Sequence, residues 1–218
     1  MKRIFTKYED YLLEKKIKLA SKRSQEERNN KKKIAEKRRL EKYLEFFKKY
    51  VDEGSKGNII MSKIDPSQEK LPDFVKKIGG DLSLVDSDIL KLPDGLHVQG
   101  YLRLAQNFHD EIILGDNTKI DGSIILDVND TSGDSVIYQI GKILTVGGDV
   151  QVHEYTLFGL IDGLHVKGNL DISYSGASSL PDDLKVEGDL DIRGTGIQND
   201  VVARKQLKSG YVKGKIYW

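Results

Sequence analysis

Cysteine is absent from the 218 residues of the chain. Its absence excludes disulfide bonds and thiolate metal sites, and it fits a reducing compartment. No apolar run approaches the length of a bilayer span, and no apolar stretch near the first residue is typical of a signal peptide. We therefore expect a cytoplasmic protein that does not associate with membranes.

The motifs of common active sites are also missing. The sequence has no phosphate-binding loop, no G-x-S-x-G elbow and no H-E-x-x-H zinc motif. The Gly147-Gly148 pair belongs to the repeat described below, so it does not indicate a nucleotide-binding loop. We expect a protein without enzymatic activity that uses no cofactor or metal.

The overall net charge of +1 conceals a division along the chain. Residues 1–56 hold 19 Lys or Arg and 10 Asp or Glu, a net charge of +9, whereas residues 57–218 carry −8. Such asymmetry is typical of a chain whose basic end meets a polyanion. It is equally compatible with oppositely charged parts that attract each other or neighbouring copies.

An internal repeat dominates the sequence after about residue 71. A template of aliphatic, any, Gly, any, aliphatic, any, apolar occurs seven times, at steps of 20 to 26 residues. The copies begin at Ile78, Val98, Ile120, Val146, Val166, Val186 and Val212. Short repeats that each supply an apolar strand predict a solenoid of stacked coils.

The template has the alternation of a β-strand with one buried face. Its first, fifth and seventh positions are apolar and are predicted to point inward, whereas the outward positions are variable and mostly polar. The Gly at the third position is expected to allow close approach of neighbouring backbone or to relieve crowding at a bend.

Further apolar residues complete each predicted coil. Six residues before the template stand Leu92, Leu114, Ile140, Leu160 and Leu180. Eleven residues after its start stand Ile89, Leu157, Ala177 and Ile197. The two longest steps contain a polar insertion at 127–134 and a predicted short helix at 200–210.

Corner motifs precede several copies: LPDGLH from Leu92, LIDGLH from Leu160 and LPDDLK from Leu180. With V-x-G and L-x-L, they resemble repeats common in hypothetical proteins of tailed bacteriophages, over residues 71–197. The pattern is also similar to bacterial leucine-rich repeats with a Leu-Pro corner, although it lacks their Asn. The resemblance implies a phage origin and assigns no catalytic residue.

A basic arm precedes the repeats. Residues 4–53 contain no Pro or Gly and are rich in Lys, Glu, Arg and Leu, which predicts helix up to Gly54. The pattern is compatible with one long helix or with two helices that meet near Asn29. We therefore expect a helical arm (1–54), a linker (55–70) and a mainly β solenoid (71–218) of about seven coils of 20–26 residues.

Nine cations in the arm form a candidate nucleic-acid-binding cluster: Lys22, Arg23, Arg28, Lys31, Lys32, Lys33, Lys37, Arg38 and Arg39. Lys and Arg at this density neutralise phosphates without reading bases, which gives salt-sensitive affinity. The interspersed Glu residues favour a simpler interpretation, a solvated helix surface. Binding to an acidic protein surface is a third interpretation.

Outward positions of the repeats form a candidate partner-binding face: Tyr101, Arg103, Asp149, Asn169, Asp171, Asp189, Asp191 and Tyr217. Its carboxylates are compatible with Ca²⁺ binding or an acid pair, but solenoids normally present polar ladders outward. Tyr and Arg are enriched at protein interfaces, which favours a protein contact. His97 and His165 stand three coils apart, too far to share a metal ion.

These patterns predict a non-enzymatic interaction or structural protein. The solenoid face would bind a protein partner, and the basic arm would anchor to nucleic acid or to an acidic assembly. The alternative is a sequence-nonspecific nucleic-acid-binding protein in which the arm acts and the solenoid is a scaffold. The phage resemblance implies the host cytoplasm or a virion as the location.

Overall fold

The computed structural model describes residues 2–65, 67–105, 113–127, 135–137, 144–151, 156–158, 163–199, 207 and 211–218. The chain divides into two compact units, Met1–Phe46 and Phe47–Trp218. Apart from Asp127 and Leu207, the predicted insertion at 127–134 and the predicted helix at 200–210 lie outside the described residues.

A single helix, α1, extends from Lys2 to Asp52. It continues through Asn29, so the arm forms one helix and not two. Its composition of strong helix formers favours this, and pairs of opposite charge four residues apart add support, such as Glu14 and Lys18 at 2.8 Å. Gly54, with φ of +88°, follows the helix in the left-handed conformation common just after helix ends.

The repeats form a parallel β-solenoid, which confirms the predicted fold class. The first six templates each contribute one strand to a six-stranded sheet and one to an eight-stranded sheet. The six-stranded sheet consists of β2 (Lys77–Ile78), β4 (His97–Val98), β6 (Thr118–Ile120), β9 (Leu144–Val146), β12 (Leu164–Val166) and β14 (Lys185–Val186). The eight-stranded sheet consists of β1 (Ile59–Ile60), β3 (Leu82–Ser83), β5 (Leu102–Ala105), β7 (Ile124–Asp127), β10 (Val150–Gln151), β13 (Leu170–Asp171), β15 (Leu190–Asp191) and β16 (Ile216–Tyr217).

Smaller elements complete the unit. Strand β8 (Ser135–Ile137) pairs with β11 (Thr156–Phe158), α2 spans Met61–Ile64, and a 3₁₀ turn spans Gly196–Asn199. The seventh template joins the six-stranded sheet through a parallel β-bridge between Val186 and Val212.

The strand register follows the repeat. First template positions pair with first positions, from Ile78 with Val98 onward, and fifth positions pair with fifth positions, from Leu82 with Leu102 onward. The first-position residues from Ile78 to Val186 are at most 1% exposed. Stacking identical positions therefore produces the columns of apolar side chains that fill the core.

The template is not one continuous strand, contrary to the prediction from its alternation. A bend at the third and fourth positions separates two short strands that belong to different sheets. The first position faces the core from one sheet, and the fifth and seventh face it from the other, as Ile78, Leu82 and Leu84 do. All three positions stay apolar because both sheets enclose the same interior.

The template glycines stack in a column at this bend. Gly122 N–H donates to Gly100 O at 3.0 Å, and the same bond recurs between successive coils up to Gly188 and Gly214. A Cβ added to Gly122 would lie 2.6 Å from the Gly100 carbonyl oxygen. The close backbone approach predicted from the sequence therefore requires glycine at this position.

The expected linker at 55–70 contributes the first coil of the solenoid. Its Ile59–Ile60 strand pairs with β3, in the place where an eighth template would lie. The segment from Ser55 reads SKGNIIM, which matches the template except that Ser occupies the first position. A buried Ser in place of an aliphatic residue therefore concealed this copy.

The last turn of α1 packs on this first coil. Phe47 is fully buried and Tyr50 is 9% exposed. The Tyr50 hydroxyl donates to Gly57 O and accepts the Gly79 N–H, both at 3.1 Å. Tyr50 therefore connects the glycines of the first two coils, and its burial raises the pKa of its hydroxyl.

Candidate functional site: an acidic groove on the eight-stranded sheet

The fourth template position carries a ladder of hydrogen bonds between coils. Asp149 Oδ1 accepts the backbone N–H of Asn169 at 2.7 Å, and Asn169 Oδ1 accepts that of Asp189 at 2.8 Å. Ser123 Oγ accepts the N–H of Asp149 at 2.9 Å, and Asp189 Oδ1 accepts that of Lys215 at 2.7 Å. The ladder gives partners to backbone donors at the bend, where the strand hydrogen bonds are interrupted.

Asp171 and Asp191, at the sixth position, cap the turn that follows each strand. Asp171 Oδ1 accepts the Ser173 N–H at 3.0 Å, and Asp191 Oδ1 accepts the Arg193 N–H at 3.1 Å. An Asp that bonds the backbone two residues further on is a common turn former. Both carboxylates therefore stabilise the coil as well as charging its surface.

These two rows of side chains line a groove of about 210 Å³ across the fourth to seventh templates. Its walls are Asp149, Val150, Gln151, Asn169, Leu170, Asp171, Asp189, Asp191 and Tyr217. Six of the eight residues predicted to form the partner-binding face therefore lie together. The other two, Tyr101 and Arg103, are exposed on the second template and do not line the groove.

Arg193 contacts two residues of the groove and was not identified from the sequence. Its Nε lies 3.0 Å from Asp191 Oδ1, and its guanidinium lies 5.7 Å from the centre of the Tyr217 ring. Hydrogen bonds from Arg193 hold the pKa of the Asp191 carboxyl below its usual range. The position of Arg193, two residues after Asp191 in the sequence, was the signal that could have indicated this contact.

The groove presents hydrogen-bond acceptors to solvent. Asp149 and Asp171 each keep a second carboxylate oxygen that makes no hydrogen bond to the described residues, whereas Asp189 Oδ2 accepts the Tyr217 hydroxyl at 3.3 Å. Across the described ranges, no three His, Asp or Glu side chains are placed to hold a metal ion.

The histidines that share a repeat position form separate contacts with carboxylates on the other sheet. His97 Nε2 lies 2.7 Å from Asp121 Oδ2, and His165 Nε2 lies 2.8 Å from Glu187 Oε1. Each histidine therefore contacts a carboxylate of the following coil and not the other histidine.

All nine cations of the predicted nucleic-acid cluster lie on exposed turns of α1. Lys32 and Lys37 pair weakly with Glu36 and Glu41, at 3.9 and 4.0 Å. Six make no ion pair with the described residues: Lys22, Arg23, Arg28, Lys31, Lys33 and Arg38. At 100° per residue the nine cations surround the helix, so they form no single basic face.

No helix in the described part of the chain has both the length and the apolar character needed to cross a membrane. The chain matches no protein-family model, no curated protein and no solved structure.

Proposed function

We propose that the protein is a non-enzymatic interaction protein that binds a protein partner through the acidic groove. The observation that supports this most directly is the convergence of six predicted face residues on one groove. Exposed Tyr217, with Arg193 against its ring, supplies the residue types that are enriched at protein interfaces. The unbonded oxygens of Asp149 and Asp171 suit a partner that presents Lys, Arg or amide donors.

The basic arm has a separate role in this proposal: it anchors the protein to nucleic acid or to an acidic assembly. Its exposed cations, most of them without an ion pair, suit phosphate or carboxylate contacts. The phage-like repeats favour a phage-encoded protein that acts in the host cytoplasm or in a virion. Bacterial lysate is therefore the appropriate source of partners.

A charge-only variant of the groove tests the first role. In Asp149→Asn, Asp171→Asn, Asp189→Asn and Asp191→Asn combined, each side chain keeps an oxygen that accepts the structural hydrogen bond, as Asn169 already does. We expect this variant to stay folded and to lose a protein captured by the full chain from nuclease-treated bacterial lysate. The matched control neutralises four carboxylates outside the groove: Asp73, Asp81, Asp88 and Asp94.

Equal capture by the groove variant and by its control would contradict the protein-binding role. A protein captured only by chains with an intact groove would be tested again in purified form, by titration against both variants.

The alternative function is sequence-nonspecific nucleic-acid binding through the arm, and the density of exposed cations on the arm favours it. Its test replaces Lys31, Lys32, Lys33, Lys37, Arg38 and Arg39 with Gln, which retains helix propensity. If the arm is the functional surface, this variant loses most oligonucleotide affinity, and the affinity of the full chain falls steeply with salt. Capture of the protein partner would then be sensitive to nuclease.

A further inference from the structure

The outward face of the six-stranded sheet carries a column of basic side chains. The strand register aligns Lys77, His97, Lys119, Thr145, His165 and Lys185. Neighbouring strands lie about 4.8 Å apart, so these side chains form one line along the stack. The three lysines are exposed, whereas the residue after each of them is buried in the core.

A second outward column runs beside the first, at the second template position. Counted over the described residues, the two columns hold six lysines (Lys56, Lys77, Lys119, Lys167, Lys185 and Lys213) and two carboxylates (Asp121 and Glu187). The fourth and sixth positions of the eight-stranded sheet hold the reverse, five carboxylates (Asp81, Asp149, Asp171, Asp189 and Asp191) and two cations (Arg103 and Lys215). The solenoid therefore has one basic sheet face and one acidic sheet face.

The two carboxylates on the basic face each already contact a histidine and a lysine of the same face. Asp121 lies 2.7 Å from Lys119 Nζ and 2.7 Å from His97 Nε2. Glu187 lies 2.8 Å from His165 Nε2 and 3.2 Å from Lys213 Nζ.

Three lysines of the basic face are available to an external anion. Lys77, Lys167 and Lys185 make no ion pair with the described residues, and all three are exposed. They lie on the first, fifth and sixth templates, so an anion that engages all three must extend along the stack.

We propose that this basic face, the outward side of the six-stranded sheet, binds the phosphate backbone of a nucleic acid that lies along the stack. Exposed lysines distributed along the stack match a linear polymer that carries one negative charge per repeating unit. Contacts of this kind fix position without reading bases, so the binding is independent of sequence.

An acidic protein is the less suitable ligand for this face. Protein interfaces depend on a few buried aromatic or aliphatic anchors. In the described part of the two columns, Tyr211 is the one large side chain with apolar character, and it lies at the last coil. Lys, His, Thr and Gln suit a phosphate backbone, which needs cations and hydrogen-bond donors but no apolar pocket.

The test measures binding of a labelled 20-nucleotide single strand to the full chain by fluorescence anisotropy, over a series of salt concentrations. The face variant is Lys77→Gln, Lys167→Gln and Lys185→Gln combined. The matched control is Lys63→Gln, Lys91→Gln and Lys215→Gln, three exposed lysines outside the two columns. A third variant, Lys31→Gln, Lys32→Gln and Lys33→Gln, reports the contribution of the arm.

The face variant is expected to bind at least tenfold more weakly at low salt. The slope of log affinity against log salt should fall in magnitude by about 2, at roughly 0.7 per phosphate contact of a single strand. The control should match the unmodified chain, and circular dichroism should show all variants folded. Unchanged affinity and slope in the face variant would overturn the proposal, whatever the arm variant does.

Poly-glutamate of matched charge serves as the second probe. It is expected to compete poorly with the oligonucleotide. If the face variant loses poly-glutamate binding and keeps oligonucleotide binding, the face is a site for acidic protein and the proposal is wrong. A duplex of the same sequence then distinguishes single-stranded from double-stranded nucleic acid as the preferred form.

Discussion

The carboxylate of Asp149 accepts the backbone N–H of Asn169 in the next coil at 2.7 Å. Ser123, one coil earlier, makes the same bond to Asp149 with its hydroxyl. Any side chain that places one oxygen at this point can hold the junction between coils. The charge at this position is therefore independent of its structural role, which allows the outward surface to be acidic without weakening the stack.

Asn169→Ala removes the acceptor for the Asp189 N–H and is expected to lower the free energy of unfolding by about 1 kcal/mol. Asn169→Ser should retain most of the stability, because Ser123 performs the same role in the third template. Urea unfolding measures both. An Asn169→Ala variant as stable as the unmodified chain would show that the ladder bond contributes nothing, and equal losses in the two variants would show that a serine hydroxyl does not replace the Asn169 oxygen.

Gly122→Ala is expected to destabilise the protein by about 1–3 kcal/mol, because the new Cβ would lie 2.6 Å from Gly100 O and 2.8 Å from Gly100 C. Both are backbone atoms of the glycine column and cannot rotate away. Gly196→Ala is the control, since its nearest neighbour is Ser178 Cα at 3.3 Å and its φ is not positive. A difference of less than about 0.5 kcal/mol between their unfolding free energies would contradict the steric argument.

Tyr50→Phe removes the hydroxyl that joins Gly57 O to the Gly79 N–H. We expect a loss of about 1–3 kcal/mol, since two partly buried backbone groups lose their partner. Tyr101→Phe, at an exposed tyrosine, should change little. Thermal unfolding of both variants provides the measurement. A Tyr50→Phe variant as stable as Tyr101→Phe would show that the hydrogen bonds of the Tyr50 hydroxyl do not stabilise the fold.

Stability should fall at acid pH through the carboxylates of the basic face. Hydrogen bonds from Lys119 and then His97 hold the pKa of the Asp121 carboxyl below its usual value, and those from His165 and then Lys213 do so for Glu187. A carboxyl with a lower pKa in the folded state adds stability above its unfolded pKa of about 4, and this stability is lost as pH falls through the folded pKa.

The Asp121→Asn variant should therefore show a shallower decline of the urea midpoint below about pH 4 than the unmodified chain. The expected difference is below about 1 kcal/mol, because solvent screens a side chain that is 36% exposed. The exposed Asp88→Asn is the control. If the urea midpoints of the unmodified chain and of Asp121→Asn fall equally below about pH 4, the ion pairs of Asp121 do not contribute to the acid sensitivity of the fold.

The first coil shows where the repeat pattern was insufficient. Seven templates were found from their aliphatic first position, and all seven pair in the predicted register. Ser55 breaks that rule, yet the coil forms because Phe47 and Tyr50 of α1 cover it. The sequence gives no local sign of this compensation, since the covering residues belong to a different element.

The groove was also only partly predictable from the repeat pattern. Alternation placed Asp171 and Asp191 on one outward face, because identical positions stack in a repeat. It did not indicate that Asp149, Asn169 and Asp189 hold the junctions between coils, since those bonds connect residues 20 positions apart. Arg193 was also missed, because its contact with the Tyr217 ring depends on how two coils are stacked.

The solenoid, its core columns and its helical arm were predictable from the sequence alone, because periodic apolar positions and strong helix formers act locally and repeat. The bend of each template between two sheets was not predictable, because it depends on how the coils stack in the folded chain. That bend sends the residue before the template and the second template position outward on one face, and the fourth and sixth positions outward on another. The separation into a basic and an acidic face follows from this division, since a single strand would have mixed both sets of charges on one surface.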